Sequence, residues 1–310
     1  MANFDTDSYR LVEKIALGAE SVLYKARSAE DEFCVKTVRN WLGKLMAPSR
    51  LRQHSEKLTV SYSSKLKHIR NEFEIGQKLQ QIGEIPVVRI YALRRVRSCI
   101  VQLGYDLLME YIDGEDLGDR KTVNALSLAD KIDYFYQSTM ALRYVHQTGI
   151  AHLDMKPSNI MIRQGTIKLI DFGMSTTIGG HLRSLSGTAG YLSPEQIVQE
   201  RIDEATDIFG LGVTFAVIFG SKPLRQNHDD LQEKNTRMEA RFHLANTSIP
   251  LIDSVPEARD IPELEKLIQR CTVPKREHRL GDTKHIIATL QRIANDQDIK
   301  LTQPRYSVLL

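Results

Sequence analysis

The 310-residue sequence has few cysteines, no long apolar run and no large excess of charge of either sign. Its longest strongly apolar stretch, Phe209 to Gly220, has twelve residues, too few to cross a bilayer. The acidic start MANFDTD lacks the basic and apolar regions of a secretory signal, so we expect a cytoplasmic location. The three cysteines, Cys34, Cys99 and Cys271, lack the spacing of a disulfide framework or a zinc site and are expected to be reduced and structural. With 42 basic and 39 acidic residues, the net charge of +3 does not indicate nucleic acid as a partner.

The pattern of apolar residues divides the chain into a β-rich part and a helical part. Short runs of β-branched and aromatic residues predict an antiparallel sheet over 9–38, with further strands at 87–96 and 105–112. Two short strands, 159–163 and 166–171, then lie among predicted helices at 127–149, 205–219, 229–245, 262–272 and 282–296. This order predicts an α+β fold of two lobes, with a ligand cleft between them.

Charged residues mark two features between the first strands and the strand at 87–96. In the predicted helix 66–82, Glu72 lies inside the apolar arc, and a carboxylate that points inward needs a buried partner. Residues 39–65 carry six basic residues against one acid, Glu56, and we interpret them as an insertion with some helix. A solvated loop is the favoured interpretation of this insertion, and a docking site for an acidic partner or an anionic lipid surface is the alternative.

The most informative segment is 152–173, HLDMKPSNIMIRQGTIKLIDFG. Its polar residues lie in two loops that flank a short hairpin: Asp154, Lys156, Asn159 and Asp171. Phosphoryl transfer needs an acceptor for the hydroxyl proton, oxygen ligands for magnesium and a cation beside the transferring phosphate. These four side chains provide all three.

These residues resemble the eukaryotic-type (Hanks-type) serine/threonine protein kinase family. The family pattern HRDxKPxN appears here as HLDMKPSN, and its DFG is unchanged at 171–173. Lys36, in FCVK, matches the lysine of the family's third strand, and Glu72 is its expected helical partner. Gly187, Thr188 and the SPE at 193–195 look like the end of an activation segment.

The resemblance continues toward the C-terminus. The segment DIFGLG, 207–212, is similar to a helix signature of the family, with Phe209 in place of the usual tryptophan. Arg279 is the expected ion-pair partner of Glu195, and Arg276 is the alternative. The resemblance implies a bilobal kinase domain over 9–296, with a smaller lobe at 9–113, a larger lobe at 114–296 and a C-terminal tail at 297–310.

The family's activity and site residues follow from the resemblance alone. It implies transfer of the γ-phosphoryl group of ATP, with Mg²⁺, to serine or threonine of protein substrates, including autophosphorylation. Asp154 is then the base, Lys156 stabilises charge on the γ-phosphate, and Lys36, held by Glu72, contacts the α- and β-phosphates. Asn159 and Asp171 are the implied magnesium ligands. Met109 matches the gatekeeper. The implied nucleotide-binding positions are Ala16, Gly18, Ser21, Leu23, Lys36, Glu110, Ile112, Asp116 and Met161.

Three departures from the family set further expectations. Ala16 and Ser21 replace two glycines of the phosphate-covering loop, so the nucleotide grip is expected to be weaker or differently shaped. Leu153 replaces the arginine that pairs with phosphate on the activation segment, which argues against activation by that route. Gly76 occupies the place of a large apolar residue, so loose packing is expected there.

Several interpretations stay open beside these. A pseudokinase scaffold or nucleotide-binding regulatory module is the first alternative function, and a small-molecule phosphotransferase is the second. His152 is interpreted as a structural residue under the catalytic loop rather than as a base. The aromatic run 134–136 is interpreted as core and surface of one helix rather than as a stacking platform.

Overall fold

A computed structural model of the chain describes residues 9–18, 21–28, 31–46, 61–81, 83, 85–182, 184–224, 252 and 254–303. Up to residue 113 the chain forms a first compact unit, except that 82–87 group with the residues from 114 onward in a second unit. The first unit is β-rich and the second mainly helical, which confirms the α+β fold class. Pro86 and Val87, expected in the first part, belong to the second because the Leu169 N–H donates to the Pro86 carbonyl at 2.9 Å.

The first unit is built on one antiparallel sheet of five strands. They are β1 (Arg10–Leu17), β2 (Val22–Arg27), β3 (Glu32–Arg39), β4 (Ile90–Ser98) and β5 (Val101–Glu110), in the order β1-β2-β3-β5-β4. The strands predicted at 87–96 and 105–112 are therefore shifted. Ser98 pairs with Val101 across a tight hairpin in which Cys99 adopts a φ of 52°, so both strands extend to that tip.

Two helices complete the first unit. Helix α1 (Trp41–Met46) follows β3 directly, and α2 (Tyr62–Gln80) begins earlier than the predicted residue 66. The Ser61 side chain causes this earlier start, because it caps α2 by accepting the Ser64 N–H. Of the insertion predicted at 39–65, residues 47–60 lie outside the described residues. Of the rest, Arg39 ends β3, residues 41–46 form α1 and residues 62–65 begin α2.

The loose packing expected at Gly76 is wrong. A Cβ built on Gly76 would lie 2.3 Å from Cγ1 and 2.9 Å from Cβ of Ile90, distances that intact packing does not allow. Helix α2 therefore lies directly against β4 at this point. The glycine replaces a large side chain because the β-branched Ile90 already fills that space.

The second unit contains mainly helices, with short strands around the loops. Its helices are α3 (Arg120–Ala125), α4 (Leu128–Gln147), α5 (Pro194–Ile197), α6 (Glu204–Ile218), α7 (Pro262–Cys271) and α8 (Thr283–Asp296). Its strands are β6 (Glu115–Asp116), β7 (Ile150–Ala151), β8 (Ile160–Arg163), β9 (Thr166–Leu169) and β10 (Thr176–Thr177). The sheets have the orders β6-β8-β9 and β10-β7. The helix predicted at 229–245 lies outside the described residues.

The core of the second unit forms around α4 and α6. Ser127 and Asp130 make a capping box at the start of α4, and Phe135 of α4 stacks on Phe215 of α6 with ring centroids 4.3 Å apart. The whole aromatic run 134–136 is buried, which confirms that it packs within one helix, whereas the expectation that part of it lies at the surface is wrong. Gly212 permits the close approach of α7, because a Cβ there would lie 2.5 Å from Cβ of Cys271.

All three cysteines are free, but they differ in environment. Burial raises the pKa of the Cys34 and Cys271 thiols to about 12, consistent with structural roles. The structural interpretation is wrong for Cys99, which is exposed at the β4–β5 hairpin tip because the turn leaves no core around it. None of the helices in the described part of the chain has the length and apolar character needed to span a membrane.

Candidate active site

Asp154 is the centre of a buried polar cluster in the second unit. It lies between β7 and a 3₁₀ turn over Pro157–Asn159, and only 6% of it is exposed. One carboxylate oxygen accepts hydrogen bonds from Lys156 Nζ at 2.8 Å and from Asn159 Nδ2 at 3.1 Å. The other accepts the Thr188 hydroxyl at 2.7 Å. Three predicted site residues are therefore brought together, and Asp154 is held as an acceptor on both oxygens.

Thr188 also belongs to this cluster, although its sequence motif indicates only a place in the activation segment. Its hydroxyl donates to Asp154 and also accepts a hydrogen bond from Lys156 Nζ at 2.8 Å. The preceding Gly187 has a φ of 116°, and a Cβ there would lie 2.8 Å from the Leu153 carbonyl. Glycine at 187 thus allows the chain to approach the Asp154 loop closely enough for Thr188 to reach it.

Asp207 of α6 fixes the backbone of the Asp154 loop from beneath. Its carboxylate accepts the backbone N–H groups of His152 and Leu153, each at 2.7 Å, and lies 2.8 Å from His146 Nε2. Burial by itself raises the pKa of Asp207, but the hydrogen bond and charge of His146 together with the backbone donors give a net lowering. A buried carboxylate that accepts these bonds holds Leu153 at its left-handed φ of 67°.

His152 is structural, as predicted. It is fully buried, its Nε2 lies 3.1 Å from the Ile170 carbonyl, and its ring packs against Phe172 with centroids 4.7 Å apart. Its Nδ1 accepts the Asp154 N–H at 3.3 Å. Both ring nitrogens are thus engaged in positioning the two loops that carry Asp154 and Asp171.

Leu153 contributes apolar packing where the family pattern has arginine. Its side chain is 3% exposed and lies in a cluster with Ala151, Leu182 and Ile202, against which Ile178 packs. Its carbonyl accepts a hydrogen bond from Gln196 Nε2 at 2.8 Å. This position therefore offers an apolar contact to residues 178–182 and no positive charge to an anion.

Asn159 and Asp171, the predicted magnesium ligands, lie on adjacent segments. The N–H of Ile170, the residue before Asp171, donates to the Asn159 carbonyl at 3.0 Å. Asn159 Nδ2 donates to the Asp154 carbonyl and carboxylate, so its amide oxygen is the atom left for a cation. Asp171 has a left-handed backbone, with φ 63° and ψ 74°, at the start of the 3₁₀ turn Phe172–Met174.

Lys36 and Glu72 form the predicted ion pair in the first unit. Lys36 Nζ lies 2.7 Å from Glu72 Oε2, and the Glu72 side chain is 2% exposed. Strand β3 presents Lys36, and α2 presents Glu72 one turn before Gly76, where the helix meets β4. The inward carboxylate thus has the partner that its burial requires.

The other predicted nucleotide-binding residues are distributed over both units. In the first, Ala16, the residue before the end of β1, pairs with Leu23 of β2, and the Gly18 N–H donates to the Ser21 carbonyl at 2.9 Å. Met109 is buried in β5, and the Glu110 N–H donates to the Arg89 carbonyl at 2.8 Å. Ile112 is also buried.

In the second unit, Asp116 of β6 pairs in register with Met161 of β8. Its carboxylate accepts the Gly118 N–H at 2.7 Å. Asp116 and Met161 therefore meet at one end of the β6-β8-β9 sheet, although they are 45 positions apart in the sequence. Asp116 as a whole is half-buried.

The predicted pair of Glu195 and Arg279 is present and buried. Arg279 binds the carboxylate with both terminal nitrogens, at 2.7 and 3.2 Å. Its guanidinium also donates to the carbonyls of Ala205, Val273 and Pro274 and lies over the Phe209 ring, 4.8 Å from its centroid. The alternative partner, Arg276, instead lies 3.4 Å from Asp203 at the surface.

Comparison with known proteins relates this arrangement to a described family. Residues 9–290 match the family model described as protein kinase domain. The chain is 31% identical over 194 residues to death-associated protein kinase dapk-1 of Caenorhabditis elegans, a match that covers 58% of this chain and 13% of that relative.

Two further relatives extend the comparison. An Aurora kinase of Candida glabrata is 31% identical over 236 residues, which cover 61% of this chain and 65% of the relative. Serine/threonine-protein kinase PknB of Mycobacterium tuberculosis is 32% identical over 157 residues, covering 48% of this chain and 25% of the relative. The matches thus span less than two thirds of the length of each of these three relatives.

Proposed function

The chain belongs to the protein kinase family, and on that basis we propose that it transfers the γ-phosphoryl group of ATP to serine and threonine hydroxyls of proteins, its own included. The observation that carries the proposal is the buried Asp154 carboxylate with Lys156, Asn159 and Thr188 around it. Here an aliphatic hydroxyl already donates to Asp154, and a serine or threonine substrate presents the same group. The kinase domain is proposed to cover 9–296, with lobes at 9–113 and 114–296.

In this proposal Asp154 accepts the proton of the attacking hydroxyl. A general base must lie within hydrogen-bond reach of the proton that it removes, and the 2.7 Å contact with Thr188 shows that a hydroxyl can occupy that distance. Lys156 stabilises negative charge on the transferred group. Its hydrogen bonds to Asp154 and Thr188 hold its ammonium beside the hydroxyl that Asp154 binds. The substrate hydroxyl takes the place of Thr188 as donor.

The residues present fit a magnesium ion. Among the residues that the structure describes, no three His, Cys, Asp or Glu side chains are grouped to hold a metal. Mg²⁺ commonly takes one or two protein oxygens and completes its shell with phosphates and water. The Asn159 amide oxygen and the Asp171 carboxylate are the proposed ligands, and the ion when bound neutralises phosphate charge.

The first unit is proposed to hold the nucleotide. Lys36, oriented by Glu72, contacts the α- and β-phosphates, because a fixed ammonium replaces the hydration that those oxygens lose. The Glu110 N–H donates to the carbonyl of Arg89, just before β4, and the Glu110 carbonyl is the backbone atom proposed to meet adenine. The other proposed nucleotide contacts are Ala16, Gly18, Ser21, Leu23, Ile112, Asp116 and Met161.

We also propose a cytoplasmic location for the chain.

A labelled-phosphate experiment tests this function. The purified chain, with Mg²⁺ and ATP labelled in the γ-phosphate, is expected to label itself or members of a peptide library. Asp171→Ala should reduce the label to background. Equal labelling by both chains would remove the enzyme proposal in favour of a nucleotide-binding module. Label confined to a metabolite panel would instead indicate a small-molecule phosphotransferase.

Leu153 leads to a prediction about regulation. Residue 153 is a leucine packed against Ile178 and Leu182, so phosphate on the activation segment, which includes Ser184 and Ser186, has no arginine at position 153 to pair with. Ser184→Ala and Ser186→Ala are therefore expected to keep basal phosphoryl transfer within about three-fold of the parent chain. The measurement is initial rate with each variant at saturating ATP. A loss of about ten-fold or more, equal to about 1.4 kcal/mol in the barrier, would contradict it.

A further inference from the structure

Large apolar side chains are exposed together at one end of the first unit. Nine such residues are exposed in the described part of the chain, and five of them belong to α1 and the β4–β5 hairpin tip. These five are Trp41, Leu45, Met46, Ile100 and Val101, called here the α1–hairpin patch. Trp41 is 74% exposed and Ile100 is 94% exposed. Single exposed apolar residues are ordinary, whereas a group of five calls for an explanation.

Asn40 joins α1 to the hairpin and makes the patch a fixed surface. Its backbone N–H donates to the Leu103 carbonyl at 3.0 Å and its side-chain amide to the Gln102 carbonyl at 2.8 Å. Its side-chain oxygen also accepts the Gly43 N–H at 2.7 Å. Gly43 lies directly on the hairpin, because a Cβ there would be 2.2 Å from the Leu103 carbonyl oxygen. Helix and tip are therefore held side by side.

Basic residues border the patch. Lys44 lies within α1, and the exposed Arg97 is opposite Gln102 in the sheet register. In the part of the chain that the structure describes, neither side chain pairs with a carboxylate. The described stretches 39–46 and 61–67 contain Arg39, Lys44, Lys65 and Lys67 and no acid. Asp106, the acid of β5 near this end, is already bound to Arg39 at 2.6 Å.

We propose that the α1–hairpin patch binds the surface of an anionic lipid bilayer. Tryptophan and aliphatic side chains enter the boundary between headgroups and acyl chains, while lysine and arginine meet anionic headgroups. A second copy of the chain fits less well. A two-fold contact through this patch would bring Lys44 and Arg97 of one copy toward Lys44 and Arg97 of the other, so that like charges repel. An acidic protein would pair with Lys44 and Arg97, but its acidic groups would not explain why the apolar side chains of Trp41 and Ile100 are exposed.

The sequence supplies a direct probe, because Trp41 is its single tryptophan. The whole chain is mixed with vesicles of phosphatidylcholine containing phosphatidylserine, and with vesicles of phosphatidylcholine alone. Trp41 emission is expected to move to shorter wavelength, with co-sedimentation, only with the anionic vesicles, and added salt should reverse both. Neither the emission of Trp41 nor co-sedimentation depends on phosphoryl transfer. A chain that transfers phosphate but does not bind vesicles would refute only the lipid proposal, and a chain that binds vesicles without transferring phosphate would refute only the proposed function.

Two pairs of variants separate the apolar and the charged contributions. Leu45→Ser with Ile100→Ser should weaken vesicle binding about ten-fold or more, because two exposed side chains lose their burial in lipid. Lys44→Glu with Arg97→Glu should remove the preference for phosphatidylserine. Leu128→Ser and Lys266→Glu, exposed residues of the second unit, are the matched controls and should bind as the parent does.

Three outcomes would overturn the proposal. The first is an emission spectrum that anionic vesicles leave unchanged. The second is a shift that appears with rising protein concentration in the absence of vesicles, which would indicate a second copy. The third is an equal shift with polyglutamate in the absence of lipid, which would indicate an acidic polypeptide partner.

Discussion

Asp154→Asn is expected to lower the rate of phosphoryl transfer by about 10²–10⁴-fold, the range typical for loss of a general base. Asparagine has the same size as aspartate but cannot take up the hydroxyl proton. It also turns an NH₂ group toward donors, because one carboxylate oxygen faces Lys156 and Asn159 and the other faces Thr188. The loss therefore combines a missing base with a disrupted hydrogen-bond cluster.

The measurement is the single-turnover rate at saturating ATP, together with the affinity for a non-hydrolysable ATP analogue. The rate should fall while the affinity changes little, because Asp154 is proposed to act on the acceptor hydroxyl. Asp260→Asn, at an exposed position of the same unit, is the matched control and should leave both unchanged. A rate within about five-fold of the parent chain would contradict the role given to Asp154.

The separate effect of the cluster can be measured with Thr188→Val. This change removes the hydroxyl that contacts Asp154 and Lys156 but leaves the base in place. If Thr188 mainly positions Lys156 and Asp154, the rate of Thr188→Val should fall less than that of Asp154→Asn. The pH profile of its rate should also differ from that of the parent chain. An unchanged pH profile would limit Thr188 to packing.

Local motifs explain why much of the site could be predicted from sequence. Asp154, Lys156 and Asn159 lie within six residues of one another, so their spacing alone places them in one loop. The capping box of α4 and the inward Glu72 are equally local, since each depends on the period of one helix.

Contacts between distant segments could not be predicted in the same way. The Thr188 hydroxyl meets Asp154 across 34 residues, and no periodicity in the sequence records that approach. The close packing at Gly76 leaves no mark in the sequence, because the side chain that fills its space, Ile90, belongs to another element. The bounds of β4 and β5 are equally hidden, because the tight turn at Cys99 joins the two strands without a glycine or proline to signal it.

The Glu195–Arg279 pair gives the largest expected effect on stability. Arg279→Met should lower the free energy of unfolding by about 3–5 kcal/mol, the range for removing one member of a buried ion pair. The reason is that Glu195 would keep a buried charge without its partner, and three backbone carbonyls would lose their donors. Urea denaturation of the purified chain measures this quantity.

Arg276→Met is the matched control, because Arg276 is about one-third exposed and its contact with Asp203 is at the surface. Such a pair contributes about 0–1 kcal/mol, so this variant should unfold at nearly the parent's urea midpoint.

Adding Glu195→Leu to Arg279→Met should recover part of the lost stability, because the uncompensated buried charge is then gone. If the double variant is no more stable than Arg279→Met, the loss comes from the freed carbonyls of Ala205, Val273 and Pro274. Equal effects of Arg279→Met and Arg276→Met would show that burial of the pair does not govern the stability of the second unit.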